Sequence, residues 1–132
     1  MNYMLDTNIC IYIMKNHPPS VQKRLKNIPI GSVSISSIVL AELWYEVKKS
    51  KLVSKNTQAL KDFLNFLIIE DWPERAASIY GNIRADLEKA GKTTGPNDLL
   101  IAAHAQCLDA TLVTNNISEF ERVKNLKLEN WT

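Results

Sequence analysis

The chain has 132 residues, of which 45% are hydrophobic and 23% charged. That composition excludes disorder, collagen and coiled coil, and the length predicts one domain over residues 1–132 that folds without metal or disulfide staples. Sixteen bases against fourteen acids leave a formal charge of +2, a balance that does not by itself announce a nucleic-acid binder.

Tyr3-Met4-Leu5 reads as a buried strand, after which Thr7 or Asn8 can cap a helix through Ile9 to Met14. His17-Pro18-Pro19 breaks it, and Ser20 caps a short basic helix from Val21 to Lys26. Val33-Ser34-Ile35-Ser36 alternates like a strand, and Ser37 caps a helix from Ile38 to about Ser50. Ser54 opens a helix carrying Leu60, Phe63, Leu64 and Leu67, with a strand expected near Ile68-Ile69. Pro73 starts a helix that stops at Gly91, and Gly95-Pro96 opens another from Asn97 to Leu108. Ala110 to Thr114 reads as a strand, a short helix follows near Glu119, and Leu126-Lys127-Leu128 as a last edge strand. Strands alternating with helices predict an α/β fold. Its sheet is mainly parallel, with four or five strands and helices on both faces. Ligands in such folds bind beyond the carboxyl ends of the strands.

Cys10 and Cys107 sit in apolar stretches outside any CxxC pair. They read as two buried, reduced thiols of a cytoplasmic protein. No apolar run is long enough to span a membrane, and Met1 to Asp6 lacks the pattern of a signal peptide.

Acids stand at the predicted junctions. Asp6 ends the first strand, Asp98 falls in the first turn after Gly95-Pro96, and Glu42 lies in the apolar segment Ile38 to Trp44. Asn115-Asn116 follows the strand ending at Thr114, with Glu119 one turn on. Each acid has a bland reading. Asp6 caps a helix, Asp98 complements a helix dipole, or Glu42 pairs with a buried base. Gathered together, such carboxylates repel until one takes a proton or a divalent cation neutralises them. An all-oxygen set favours Mg²⁺ or Mn²⁺ and suits phosphoryl transfer.

Four segments carry a resemblance. Met4-Leu5-Asp6-Thr7-Asn8, Ser34 to Ser37 with Leu40-Ala41-Glu42-Leu43, Gly95 to Ala105, and Leu112 to Asn116 with Glu119-Phe120 occur in this order across the chain. Together they resemble a PIN-domain ribonuclease, specifically a VapC-type toxin of a toxin–antitoxin pair. The resemblance implies a three-layer sandwich and Mg²⁺-dependent endonuclease activity on RNA, with Mn²⁺ able to substitute. Asp6 and Asp98 would be direct ligands, and Glu42 would complete the catalytic site. Thr7 and Thr114 would fix the carboxylates or the scissile phosphate, with Asn8 in the opening Thr-Asn pair. Many PIN domains carry a fourth acid where this chain has Asn116. Asn116 would stand behind the ligands and Glu119 could reach in instead, which implies one firmly held ion. The closing segment and Glu129-Asn130-Trp131 look most like the branch that cuts initiator tRNA in its anticodon loop.

The resemblance also implies a homodimer and a VapB-type antitoxin whose arginine occupies the acidic rim. RNA needs cations, for which Lys15, Lys23, Arg24, Lys26, Lys48, Lys49, Lys51, Lys55, Arg84 and Arg122 are the candidates. Trp44 and Trp131 read as core or interface. A phosphoacceptor receiver or a non-catalytic binding module is the competing class. A receiver needs paired acids after its first strand and a lysine after its last. Here Asp6 stands alone and no lysine follows Thr114 before Lys124. With three acids committed to an ion, eleven remain against sixteen bases, leaving a cationic body around an acidic pocket.

Overall fold

In a computed structural model describing residues 2–29 and 31–132, strands and helices alternate. The order is β1 (Tyr3–Leu5), α1 (Thr7–Lys15), α2 (Pro19–Lys26), β2 (Val33–Ser36), α3 (Ser37–Lys49), α4 (Val53–Leu64) and β3 (Ile68–Glu70). It continues with α5 (Ala76–Lys89), α6 (Pro96–Cys107), β4 (Thr111–Val113), α7 (Ile117–Phe120) and β5 (Leu128–Glu129). The sheet order is β3-β2-β1-β4-β5, and every neighbouring pair is parallel. The sheet expected to be mainly parallel is thus wholly so.

Every residue of β1, β2 and β4 is buried. The alternation in Val33 to Ser36 therefore does not mark a half-exposed strand. Both faces are covered, as central parallel strands require, and the serines are satisfied internally. Ser34 Oγ donates to the Tyr3 carbonyl at 3.2 Å. Only β3, at the edge, leaves Ile68 and Ile69 substantially exposed.

Helix starts fall close to the expected places, but several caps differ. Asp6, not Thr7 or Asn8, caps α1, its Oδ1 accepting from Ile9 N at 3.0 Å. Ser36, not Ser37, caps α3, accepting from Ile38 N at 3.1 Å. Ser37 Oγ instead accepts from Trp72 N at 3.0 Å. Ser20 and Ser54 lie inside α2 and α4, whose first turns have no side-chain cap. Pro73 precedes a turn, so α5 begins at Ala76, and the last strand lies at Leu128–Glu129. Gly91 follows α5 with φ +70, the left-handed value expected of its stop.

Two polar arrangements brace the core. Ser36 Oγ lies 2.8 Å from His104 Nδ1, both residues fully buried. Burial and the charge of Arg75 lower the His104 pKa, so the ring is neutral at pH 7. Ser36→Ala removes a helix cap and strands that ring nitrogen. The expected loss is about 2 kcal/mol of stability, read from urea unfolding. At the other end, Arg24 pairs with Glu129 at 2.8 Å and sits over the Tyr3 and Trp131 rings. Trp131 is buried and donates its indole N–H to Glu129 at 2.8 Å. Arg24 thus anchors the carboxyl-terminal strand.

Cys10 and Cys107 are both free, but only Cys10 is buried; Cys107 is half-buried, so the expectation of two buried thiols holds for one. Among the described residues no helix is long and apolar enough to cross a membrane.

Candidate active site

The strand order turns back at β1, with β2 on one side and β4 on the other. A crevice opens beyond the carboxyl ends of strands at such a point. Asp6 follows β1, Thr114 follows β4, and Asp98 lies in the first turn of α6. Glu42 lies on the second turn of α3. A cleft of about 600 Å³ occupies this position. Its walls bring together Asp6, Thr7, Asn8, Glu42, Asp98 and Asn116.

Asp6 is buried and held at both oxygens. Oδ1 accepts from Ile9 N, and Oδ2 accepts from the Thr114 hydroxyl. Thr114 Oγ1 in turn accepts from Asn116 N at 3.0 Å. A carboxylate has about four lone-pair sites, so capping α1 does not exhaust Asp6. Both of its expected readings, cap and cleft acid, are therefore true together. Burial raises its pKa above the ordinary carboxyl value. The hydrogen bonds from Thr114 and Ile9 oppose that shift, and the charge of Glu42 adds to it.

Glu42 departs from the bland reading that pairs it with a buried base. Instead α3 turns Ile38, Ala41 and Tyr45 toward the cleft, and Glu42 is only half-buried. No base pairs with it among the described residues. Thr7 Oγ1 donates to Oε1 at 2.6 Å, and Asn97 Nδ2 approaches Oε2 at 3.4 Å. Asp98 carries the largest perturbation of the cleft acids. Its pKa is raised to about 6, first by burial and then by the charges of Glu119, Glu42 and Asp6.

Thr114 and Glu119 do not line the cleft but stand behind it. Glu119 accepts from Gly95 N at 3.2 Å and from Asn116 Nδ2 at 3.3 Å. It ties α7 to the loop that starts α6, and its charge is felt at Asp98. Three cleft residues with polar groups are not marked by the sequence reading. Asn97 neighbours Asp98 in sequence, and Tyr45 and Glu46 lie three and four residues after Glu42. Helical spacing could have found the last two.

The candidate cations divide. Lys49 pairs with Glu46 at 3.1 Å and lies 4.9 Å from the Tyr45 ring centre, at the cleft edge. Lys48 lies over the half-buried Trp44. Arg84 is tied to Tyr80 and Glu88, and Arg122 to the Thr93 carbonyl. Lys15, Lys23, Lys26, Lys51 and Lys55 are exposed. Among the described residues no lysine lines the cleft, so the lysine that the receiver reading needs is not met there.

The donors are all oxygens, and their mutual repulsion at Asp98 is of the kind a divalent cation relieves. Among the described residues no three such groups already close around one point. Asp6, Glu42 and Asp98 thus fit a divalent cation that keeps part of its own water.

The PIN domain family model matches residues 3–126. Ribonuclease VapC2 of Rickettsia felis is 51% identical over 132 residues, covering 99% of this chain and 98% of that protein. The tRNA(fMet)-specific endonuclease VapC of Shigella flexneri is 42% identical, covering 100% and 99%. The crystal structure of VapBC2 from Rickettsia felis, bound to a DNA fragment from their promoter, contains a chain with a TM-score of 0.92. That chain is 50% identical, with 100% of both chains covered. Sequence and fold agree over the full length, and the chain belongs to the PIN-domain family, among its VapC ribonucleases.

Proposed function

We propose that residues 1–132 act as one PIN unit, a Mg²⁺-dependent endoribonuclease toxin that cuts tRNA and is silenced by a VapB-type antitoxin. The observation that carries this is the gathering of Asp6, Glu42 and Asp98 in one cleft, with the Asp98 pKa pushed up to about 6. PIN nucleases are in general divalent-metal dependent, and the oxygen donors here favour Mg²⁺ or Mn²⁺. Such an ion lowers the pKa of a bound water and neutralises charge on the scissile phosphate.

The chain's own residues do the rest. Thr114 and Ile9 N hold Asp6 in one orientation, so a ligand oxygen faces the cleft without rearrangement. Thr7 and Asn97 hold Glu42, half-exposed, where it can orient an attacking water and accept its proton. Asp98 completes the acidic face from the start of α6. Glu119 and Asn116 fix the α6 entry loop and, with no acid at position 116, support one ion rather than two. Tyr45, 64% exposed beside Glu42, offers a face for an unstacked base.

The anticodon loop of initiator tRNA is the target this reading favours, supported by the 42% identity to a tRNA(fMet)-specific endonuclease. The cytoplasm supplies that substrate and keeps Cys10 and Cys107 reduced. The antitoxin would offer a guanidinium to the cleft carboxylates, which satisfies them bidentately and competes with the cation. The toxin would act as a homodimer.

Purified protein incubated with total tRNA and Mg²⁺ is expected to release fragments cut at one loop. EDTA or Asp6→Ala should stop the reaction, and added antitoxin should suppress it. Equal cleavage by Asp6→Ala sinks the site assignment, and an antitoxin complex that still cuts rules out occlusion.

A further inference from the structure

The second half of the chain is acidic overall, with seven bases against ten acids over residues 67–132. Its charges are not mixed evenly. A groove of about 600 Å³ between α5, α6 and the segment after α7 is lined by Lys89, Lys92, Arg122 and Lys124, with Asp86 as the one acid among the described residues lining it. Four of the seven bases thus meet one of the ten acids. Among the described residues none of the four bases takes part in an ion pair.

Exposed cations gathered along one groove create a positive field that favours a negative partner. Chain connectivity does not explain the gathering, since the four come from α5, the loop before α6, and the segment after α7. The groove also leads to the catalytic rim. Lys92 lines a second cavity of about 200 Å³ together with Pro96 and Leu99, which bracket Asp98 in sequence. Arg122 Nη1 donates to the Thr93 carbonyl at 2.8 Å and ties the two sides together. Asp98 and the groove residue Gln106 lie on the same helix, separated by about 12 Å of rise.

We infer that this groove binds the sugar–phosphate backbone of the RNA substrate away from the scissile bond. The inference rests on the ribonuclease reading for the identity of the polyanion. The acidic cleft repels a polyanion, so affinity must come from cations elsewhere, and this groove supplies cations outside any ion pair in a surface bordered by α6, the helix that carries Asp98. Of these four only Arg122 is among the cations the sequence points to, because the others are scattered through an acidic half.

The test is a Lys89→Gln, Lys92→Gln, Lys124→Gln triple variant; Arg122 is spared because it braces a loop. Affinity for full-length tRNA is measured by fluorescence anisotropy against salt, in an Asp98→Asn background that prevents turnover. The slope of log affinity against log salt should fall by about 2, and Kd at low salt should rise roughly tenfold or more. In the active background KM should rise with kcat unchanged. Lys61→Gln on α4 controls for net charge and should barely move the slope. An unchanged slope, an equal change per charge in Lys61→Gln, or a fall in kcat alone overturns the assignment. So does loss of antitoxin binding with RNA affinity intact. A protein that binds tRNA through these lysines but cuts no RNA upholds the groove and overturns the ribonuclease reading instead.

Discussion

Asp98→Asn is expected to abolish RNA cleavage and at the same time raise the melting temperature of the metal-free protein. Folded, Asp98 keeps its proton up to about pH 6; the unfolded value is 3.8. Between those values the folded state binds more protons than the unfolded state, so stability falls as pH rises through the window. Above about pH 6 the whole penalty is present. It amounts to about 1–2 kcal/mol once solvent screening of a partly exposed carboxyl is allowed for. The amide carries no charge for Glu119, Glu42 and Asp6 to repel, and so escapes the penalty. A gain of a few degrees at pH 8 in metal-free buffer, vanishing near pH 4, is the expected thermal result. Activity should fall by more than about a hundredfold, beyond what losing a supporting residue costs a metal site. A variant that melts lower at pH 8 would show that the carboxylate stabilises the fold rather than straining it.

Mg²⁺ should stabilise the native protein strongly at pH 8 and weakly at pH 5. An ion that binds only the folded state adds RT ln(1 + [L]/Kd), about 2.7 kcal/mol at a hundredfold excess over Kd. The same carboxylates must lose their protons to bind it, so affinity is pH-dependent. Asp98 titrates near 6, so protons compete for it in mildly acidic buffer, and burial raises the proton affinity of Asp6 in the same direction. Thermal melts with Mg²⁺, with Mn²⁺ and with EDTA at the two pH values read this directly. Asp6→Ala should lose the shift at both. An equal shift at pH 5 and pH 8, or one retained in Asp6→Ala, would place the ion elsewhere. Cleavage should follow the same pH dependence, falling as pH drops through about 6.

Much of the architecture was legible because its signals are local. Tyr3-Met4-Leu5 and Thr111-Leu112-Val113 are short apolar runs, as strands buried on both faces must be. The caps of α1 and α3 fall one residue before Thr7 and Ser37 because a strand's end is set by its partner. Asp6 N still donates to the Val113 carbonyl at 3.0 Å, so the chain stays extended until Asp6 and the helix opens on it. The exposure of Glu42 was not legible for a related reason. An apolar run does not say whether it faces a core or a cleft, and part of the run from Ile38 to Trp44 faces the cleft. Asn97 escaped notice because its value lies in reaching Glu42, 55 residues earlier.

Which acids stand at strand–helix junctions, and in what order, can be read from the chain alone, since junction placement follows from periodicity, caps and breakers. Which of them meet is set by long-range strand pairing. Parallel pairing of β1 with β4 sets Thr114 against Asp6 across 108 residues, and pairing of β1 with β2 brings Glu42 to Thr7 across 35. The high proton affinity of Asp98 exists only after that assembly, because it comes from burial and from charges that the fold, and not the chain order, has drawn together.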